Sequence, residues 1–174
     1  MTKANAVTRV RKVEFPPESQ LFARLPEAWY HDAFEAPLHD AGLTPAEIGA
    51  RALAMAPGWV DAMLRLRDAM AAPFGVTPVA RRGPLSSGAR PAPKVGDRFS
   101  IFTVRAVDAR ELVLGIDDSH LDVRISFLKR MGDNPTYLCC AWVKTHNLIG
   151  RIYMLPVAPF HQLIVRMMMS GAAF

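Results

Sequence analysis

Five side chains in the C-terminal half have types suited to proton or anion chemistry: His120, Asp122, Arg124, His146 and His161. A histidine in a cavity takes or gives a proton near neutral pH, and an arginine grips an anionic group through parallel hydrogen bonds. His120, Asp122 and Arg124 stand at two-residue spacing, so on a strand they share a face. The residues between and beyond them, Leu121, Val123, Ile125 and Phe127, are apolar and mark the core face. The polar set is therefore expected on the solvated outside of the sheet. His146 and His161 flank a long apolar stretch, where either can stand at a cavity mouth.

Other chemistries find little support. Asp117-Asp118 reads as a turn, because no further oxygen ligands follow at a recognisable spacing. The three histidines lack the i,i+4 pair or flanking ligand of a metal site, so no metal is expected. There is no phosphate-cradling glycine loop, no nucleophile elbow and no redox cysteine pair, and no cofactor is expected. Cys139 and Cys140 are adjacent, which on a strand sends them to opposite faces and out of bridging geometry.

The element that must position these groups is the last one, residues 146–169. It is apolar nearly all round, so it should be covered on several sides. Phe160, Leu163, Ile164, Met167 and Met168 recur at three- and four-residue spacing, which predicts a helix over 156–169. Four strands precede it: 98–107, 111–116, 120–129 and 136–146, separated by short polar turns in the manner of an antiparallel meander. Folding the last hairpin about Asp133 sets Asp122 opposite Lys144, Arg124 opposite Trp142 and His120 opposite His146. The first two are a cross-strand ion pair and a cation–π pair.

Earlier in the chain, residues 28–38 are expected to form a strand with Tyr30, Ala33, Phe34 and Ala36 as its apolar content. Val7 to Phe15 shows weaker alternation, stopped by Pro16-Pro17. Thr44-Pro45-Ala46-Glu47 has the form of a capping box with proline at the first helical position. Its helix ends at Pro57-Gly58, and a second runs over 59–71 with Trp59, Met63, Leu66 and Met70 as a core stripe. Residues 73–97 are a Pro/Gly-rich loop carrying Arg81, Arg82, Arg90 and Lys94, read as a flexible connection with solvated charges. Strands and helices are segregated, so the class is α+β: one domain over 1–174, an antiparallel sheet curled around a long C-terminal helix. Such a helix-grip arrangement leaves a cavity between helix and sheet.

The 174 residues carry a net charge of +5, with basic residues scattered rather than gathered among aromatics, so no nucleic-acid partner is expected. The N-terminus shows no secretory apolar run, and the lack of a disulfide framework fits a reducing compartment, which points to the cytoplasm. Arg151, His161, Gln162 and Arg166 interrupt the C-terminal stretch. Stable membrane insertion is not expected, and an interfacial helix is the lesser alternative.

Three blocks carry a resemblance to a known family: Lys94-Val-Gly-Asp97; Gly115-Ile-Asp-Asp-Ser-His-Leu-Asp-Val-Arg124 with Ser126; and His146-Asn-Leu-Ile-Gly-Arg-Ile-Tyr153 with Pro159-Phe-His161. They cover roughly the C-terminal half, and the third is the most specific. The chain resembles a bacterial family catalogued as domain of unknown function 2867, which in element order is similar to the START and Bet v 1-like superfamily. The resemblance implies binding or transformation of a hydrophobic small molecule and transfers no catalytic residue.

The expected partner is thus a small apolar or amphipathic molecule between sheet and helix. From the helix side it would meet His146, Asn147, Arg151 and Tyr153, then Phe160, His161, Ile164 and Met168. His120 and Arg124 would reach it from the sheet. An enzyme of hydrolase, dehydratase or cyclase type using His146 or His161 is the second expectation. The third is an interaction module, including a homodimer.

Overall fold

The structure is a computed structural model that describes residues 10–71, 78 and 92–172. Seven strands form one antiparallel sheet: β1 Arg11–Val13, β2 Tyr30–Pro37, β3 Arg98–Phe99, β4 Phe102–Val107, β5 Glu111–Asp117, β6 Leu121–Arg130 and β7 Thr136–Thr145. Their order is β1-β2-β7-β6-β5-β4-β3. The meander from β3 to β7 is local, and β2 closes against β7, Tyr30 opposite Val143 and Pro37 opposite Thr136. Among the described residues three α-helices accompany the sheet: α1 Pro45–Ala54, α2 Gly58–Ala71 and α3 Leu148–Gly171. This is the α+β class with a long C-terminal helix gripped by the sheet.

The expected hairpin register is present: Asp122 pairs with Lys144 and Arg124 with Trp142. The side chains choose other partners. Lys144 reaches Glu27 at 2.6 Å, Asp122 takes His146, and the Trp142 ring lies under Arg24 at 5.9 Å. The reason is that the outer face of the sheet is covered, not solvated. Residues 13–28, including a short 3-10 helix Phe22–Glu27, lie across it, with Leu21 packed on Val113 and Trp142. Trp142 Nε1 donates to the Arg24 carbonyl at 2.8 Å. Arg124 is consequently buried, its guanidinium held by Asp117 at 2.6 Å and by the carbonyls of Ile116 and Val123.

The capping box forms as expected. The Glu47 amide donates to Thr44 Oγ1 and the Thr44 amide to Glu47 Oε2, so two orphan amides of the first turn are satisfied. Helix α1 presses Ile48, Ala52 and Leu53 onto Phe34, Leu112 and Phe127, and with Val165, Met168 and Met169 of α3 fills one half of the sheet's inner face. Gly49 allows that approach: a Cβ there would stand 2.9 Å from the Phe127 ring. Cys139 joins this core while Cys140 joins the outer cluster with Leu128 and Leu138, so the adjacent cysteines do point apart.

Several expectations shift. Residues 98–107 are two strands, not one, because Ser100 takes a left-handed φ of 58° and turns the chain. Trp59 is exposed, and α2 meets the core through Val60 and Leu64; the side chains of Leu66 and Met70 lie outside the described residues, as do Arg81, Arg82 and Arg90. Helix α3 begins two turns earlier than periodicity implied. Asn147 caps it, its Oδ1 accepting from the Gly150 amide at 3.0 Å, and Pro156 and Pro159 are inside it. Each proline removes one helical hydrogen bond, but both lie on the solvent side, where water can meet the freed carbonyls. That outer side is not covered by the described residues, contrary to the expectation of burial all round.

Glu35, on β2, ties β1, β6 and β7 to its own strand through Arg11, Arg130 and Thr136. Burial works against its charge, but these donors outweigh burial and hold its carboxyl below the ordinary value of 4.5. A carboxylate depressed in the folded state stabilises above its unfolded pKa and loses that contribution as pH falls through the folded one. Glu35→Gln should lower stability by about 1 kcal/mol at neutral pH, the exposed arginines being screened by solvent. It should also flatten the loss of stability below pH 4.5, as read from urea midpoints across pH.

Candidate functional site

A cavity of about 140 Å³ opens between the N-terminal half of α3 and the sheet. The sheet supplies Leu121, Val123, Ile125, Ala141 and Val143 as its floor. Helix α3 roofs it with Tyr153, Met154, Val157 and His161, and Leu64, Ile101 and Ile116 close the side. The floor is the alternating apolar face of β6, as expected. The cavity occupies the gap between two apolar clusters. One is the α1–α3 core around Phe34 and Met169; the other is Leu121, Val143 and Met154 beneath the first turns of α3.

The polar corner comes from β2. Tyr30, Asp32 and Phe34 share the inner face by strand alternation, and Asp32 is buried there, opposite Ala141. Tyr30 Oη donates to Asp32 Oδ2 and accepts from Gln162 Nε2 at 3.2 Å. Burial, then the hydrogen bond to the Asp32 carboxylate, push the Tyr30 phenol far above its ordinary range, so it is a neutral donor at physiological pH. His161 Nε2 stands 3.5 Å from Asp32 Oδ1, and its ring meets Tyr30 edge-on at 6.0 Å between centroids. Neither of those two atoms makes a hydrogen bond to another described residue, although both are buried. A buried carboxylate oxygen without a donor is costly, and the imidazole is the group placed to relieve it.

A second polar edge is made by Asp118, Tyr153 and His120. Asp118 and Tyr153 line the cavity. His120 is buried with Nδ1 3.4 Å from Asp118 Oδ1 and its ring edge-on to Tyr153 at 5.9 Å. Parity with Asp122 implied the outer face for His120. The strand begins only at Leu121, so His120 belongs to the turn and swings to the helix side. The contact is locked by Gly150, where a Cβ would lie 2.3 Å from the His120 carbonyl oxygen.

Of the ten residues expected at the site, Tyr153 and His161 line the cavity and His120 backs it. His146 lies just beyond the end of β7, 3.1 Å from Asp122, and Asn147 serves as the helix cap. Arg151 and Phe160 face outward, while Ile164 and Met168 pack in the α1–α3 core. Arg124 sits on the covered outer face. Neither Arg124, the arginine suited to grip an anion, nor Arg151 is therefore at the cavity. The three histidines face three different carboxylates, and no group of three or more metal-type side chains occurs among the described residues. Sequence reasoning missed Asp32. Its signal was available: a carboxylate at the parity of Tyr30 and Phe34 on a strand whose other inner positions are apolar.

These features define an α+β helix-grip protein with a small apolar cavity and a Tyr–Asp–His corner built on the buried Asp32. Within that class, the family described as protein of unknown function (DUF2867) matches residues 24–168, and the chain belongs to it. No curated protein and no solved structure matches the chain.

Gly150→Ala should cost about 1–3 kcal/mol, because a backbone oxygen rather than a flexible side chain must yield. Gly132→Ala, with nothing within 4 Å of the added carbon, should be close to neutral in the same urea titration.

Proposed function

We propose that the protein binds a small apolar or amphipathic molecule in the cavity under α3. The observation that carries this reading is the cavity's composition: apolar walls with a few polar groups, Tyr30 and His161 at one corner, with Asp32 behind them, and Asp118 and Tyr153 at another. Ligand sites have that build, apolar contact for affinity and a few placed polar groups for orientation. An apolar cavity of about 150 Å³ takes a benzene-sized molecule, so the occupant has roughly the bulk of one ring. The resemblance in element order to START and Bet v 1-like proteins supports this reading by analogy of fold. Native mass spectrometry of freshly purified protein should show an adduct that is released on unfolding and can be identified after extraction. Val157→Phe, which fills the cavity from the helix side, should lower occupancy at least tenfold. An adduct that survives Val157→Phe unchanged places the ligand elsewhere.

A second reading is favoured by the His161–Asp32 pair. A base oriented through its second nitrogen by a buried carboxylate is a general-base arrangement. Here Nε2 faces Asp32, which leaves Nδ1 to take a proton from an O–H or C–H group of the ligand, the carboxylate then stabilising the imidazolium. His161→Gln and Asp32→Asn should each retain the adduct and slow its conversion by a hundredfold or more. Recovery of chemically unchanged ligand after long incubation with wild-type protein sets the enzymatic reading aside and leaves binding intact.

A further inference from the structure

Helix α3 turns a second apolar face to solvent. Leu148, Ile152, Leu155, Pro159, Leu163 and Met167 follow one another at three- and four-residue steps, which places them on one line along the helix. The five non-proline residues are 41–68% exposed, while Met154, Val165 and Met168 on the opposite side are buried. The line is about 28 Å long at helical rise. At its far end Met55, itself exposed, lies against Gly171 and prolongs the patch. An apolar surface of this extent on one element marks a contact site.

Charge selects the occupant. Between Leu148 and Gly171 the Lys, Arg and His residues are Arg151, His161 and Arg166, with no carboxylate. His161 faces the cavity, so the exposed charged groups of the helix are both cationic: Arg151, and Arg166, whose guanidinium rests 5.4 Å over the Phe34 ring at the flank of the helix. A second copy of this chain is disfavoured by that pattern. If two α3 helices pair antiparallel about the middle of the stripe, Arg151 falls within a turn of the partner's Arg166. If they pair parallel, each arginine meets itself. Neither arrangement offers a carboxylate to pair with them, and the chain's net charge of +5 adds repulsion. An anionic lipid surface satisfies both halves of the pattern. The stripe enters the acyl boundary, and the arginines extend their apolar stems toward it while their guanidinium groups meet phosphates.

We infer that α3 docks the protein in the plane of an anionic membrane, with the Leu148–Met167 stripe immersed and Arg151 and Arg166 at the headgroups. The helix does not span the bilayer in this mode, because its inner face is committed to the sheet. The inference stands on the outer face alone and is independent of the ligand cavity.

The test is co-sedimentation of the full chain with vesicles of phosphatidylcholine alone and of phosphatidylcholine with one-third phosphatidylglycerol. The bound fraction should be at least tenfold higher on the anionic vesicles and fall severalfold in high salt. Leu155→Glu with Leu163→Glu should abolish binding without lowering the unfolding temperature, since both side chains are exposed. Arg151→Glu with Arg166→Glu, which leaves the stripe intact, should weaken binding severalfold and serves as the second arm if the first pair compromises folding. Background binding on both vesicle types overturns the inference, as does full binding by a folded Leu155→Glu/Leu163→Glu protein. A dimer in native mass spectrometry that this pair dissociates, with no vesicle binding by the wild type, assigns the stripe to a second copy instead.

Discussion

The inner architecture depends on one close approach: the first turn of α3 lies directly against the turn joining β5 to β6. The His120 carbonyl accepts from the His146 amide at 2.9 Å, and the space that a Cβ at Gly150 would need is filled by that same oxygen. Asn147 sets the helix axis at this point by capping it. Once the axis is set, Tyr153 falls beside His120, Met154 and Val157 over the floor of β6 and β7, and His161 above Asp32. The Tyr137 hydroxyl bonds the Met169 carbonyl at 3.2 Å and fastens the other end. The block His146–Tyr153, which carried the family resemblance most specifically, is thus a docking device: a cap, a glycine and the tyrosine they place.

Much of the fold was legible because its signals are local. The capping box, the alternation in β6, the register of the last hairpin and the opposed cysteines each follow from spacing alone. The failures have a common cause in surfaces that other segments cover. Alternation separates the two faces of β6 but does not reveal that residues 13–28 cover the polar one, so Arg124 read as solvated. Helical periodicity needs a polar face to show where a helix begins. α3 is apolar outside as well as inside, and its prolines looked like terminators although they are accommodated on the solvent side.

The site was half legible for the same reason. His161 stood out by type and by its place beside the apolar stretch. Asp32 carried only a parity signal, an acid in step with Tyr30 and Phe34, and that signal gains meaning only once its partner is known to come from a helix 129 residues further on. Across the inner and outer faces the titratable groups are grouped by tertiary contact: Asp32 with His161, Asp118 with His120, Asp122 with His146. Two of those pairs adjoin the cavity and one stands at the open end of the β6–β7 hairpin. That distribution, rather than the count of histidines, decides where proton chemistry can occur.

The pairing of β2 with β7 has a consequence for the order of events in synthesis. Tyr30 and Gln162, which meet at the polar corner, are 132 residues apart. The hairpins from β3 to β7 can form while the chain is still being extended, since each closes a short loop. Strand β2 must wait, its inner edge unpaired, until β7 has left the ribosome, and the Tyr30–Asp32 pair gains its histidine only after α3 has followed. The nascent protein therefore carries a buried-type carboxylate exposed to water for most of its synthesis. Its cavity does not exist until α3 is made, so no molecule can use that space to template the sheet.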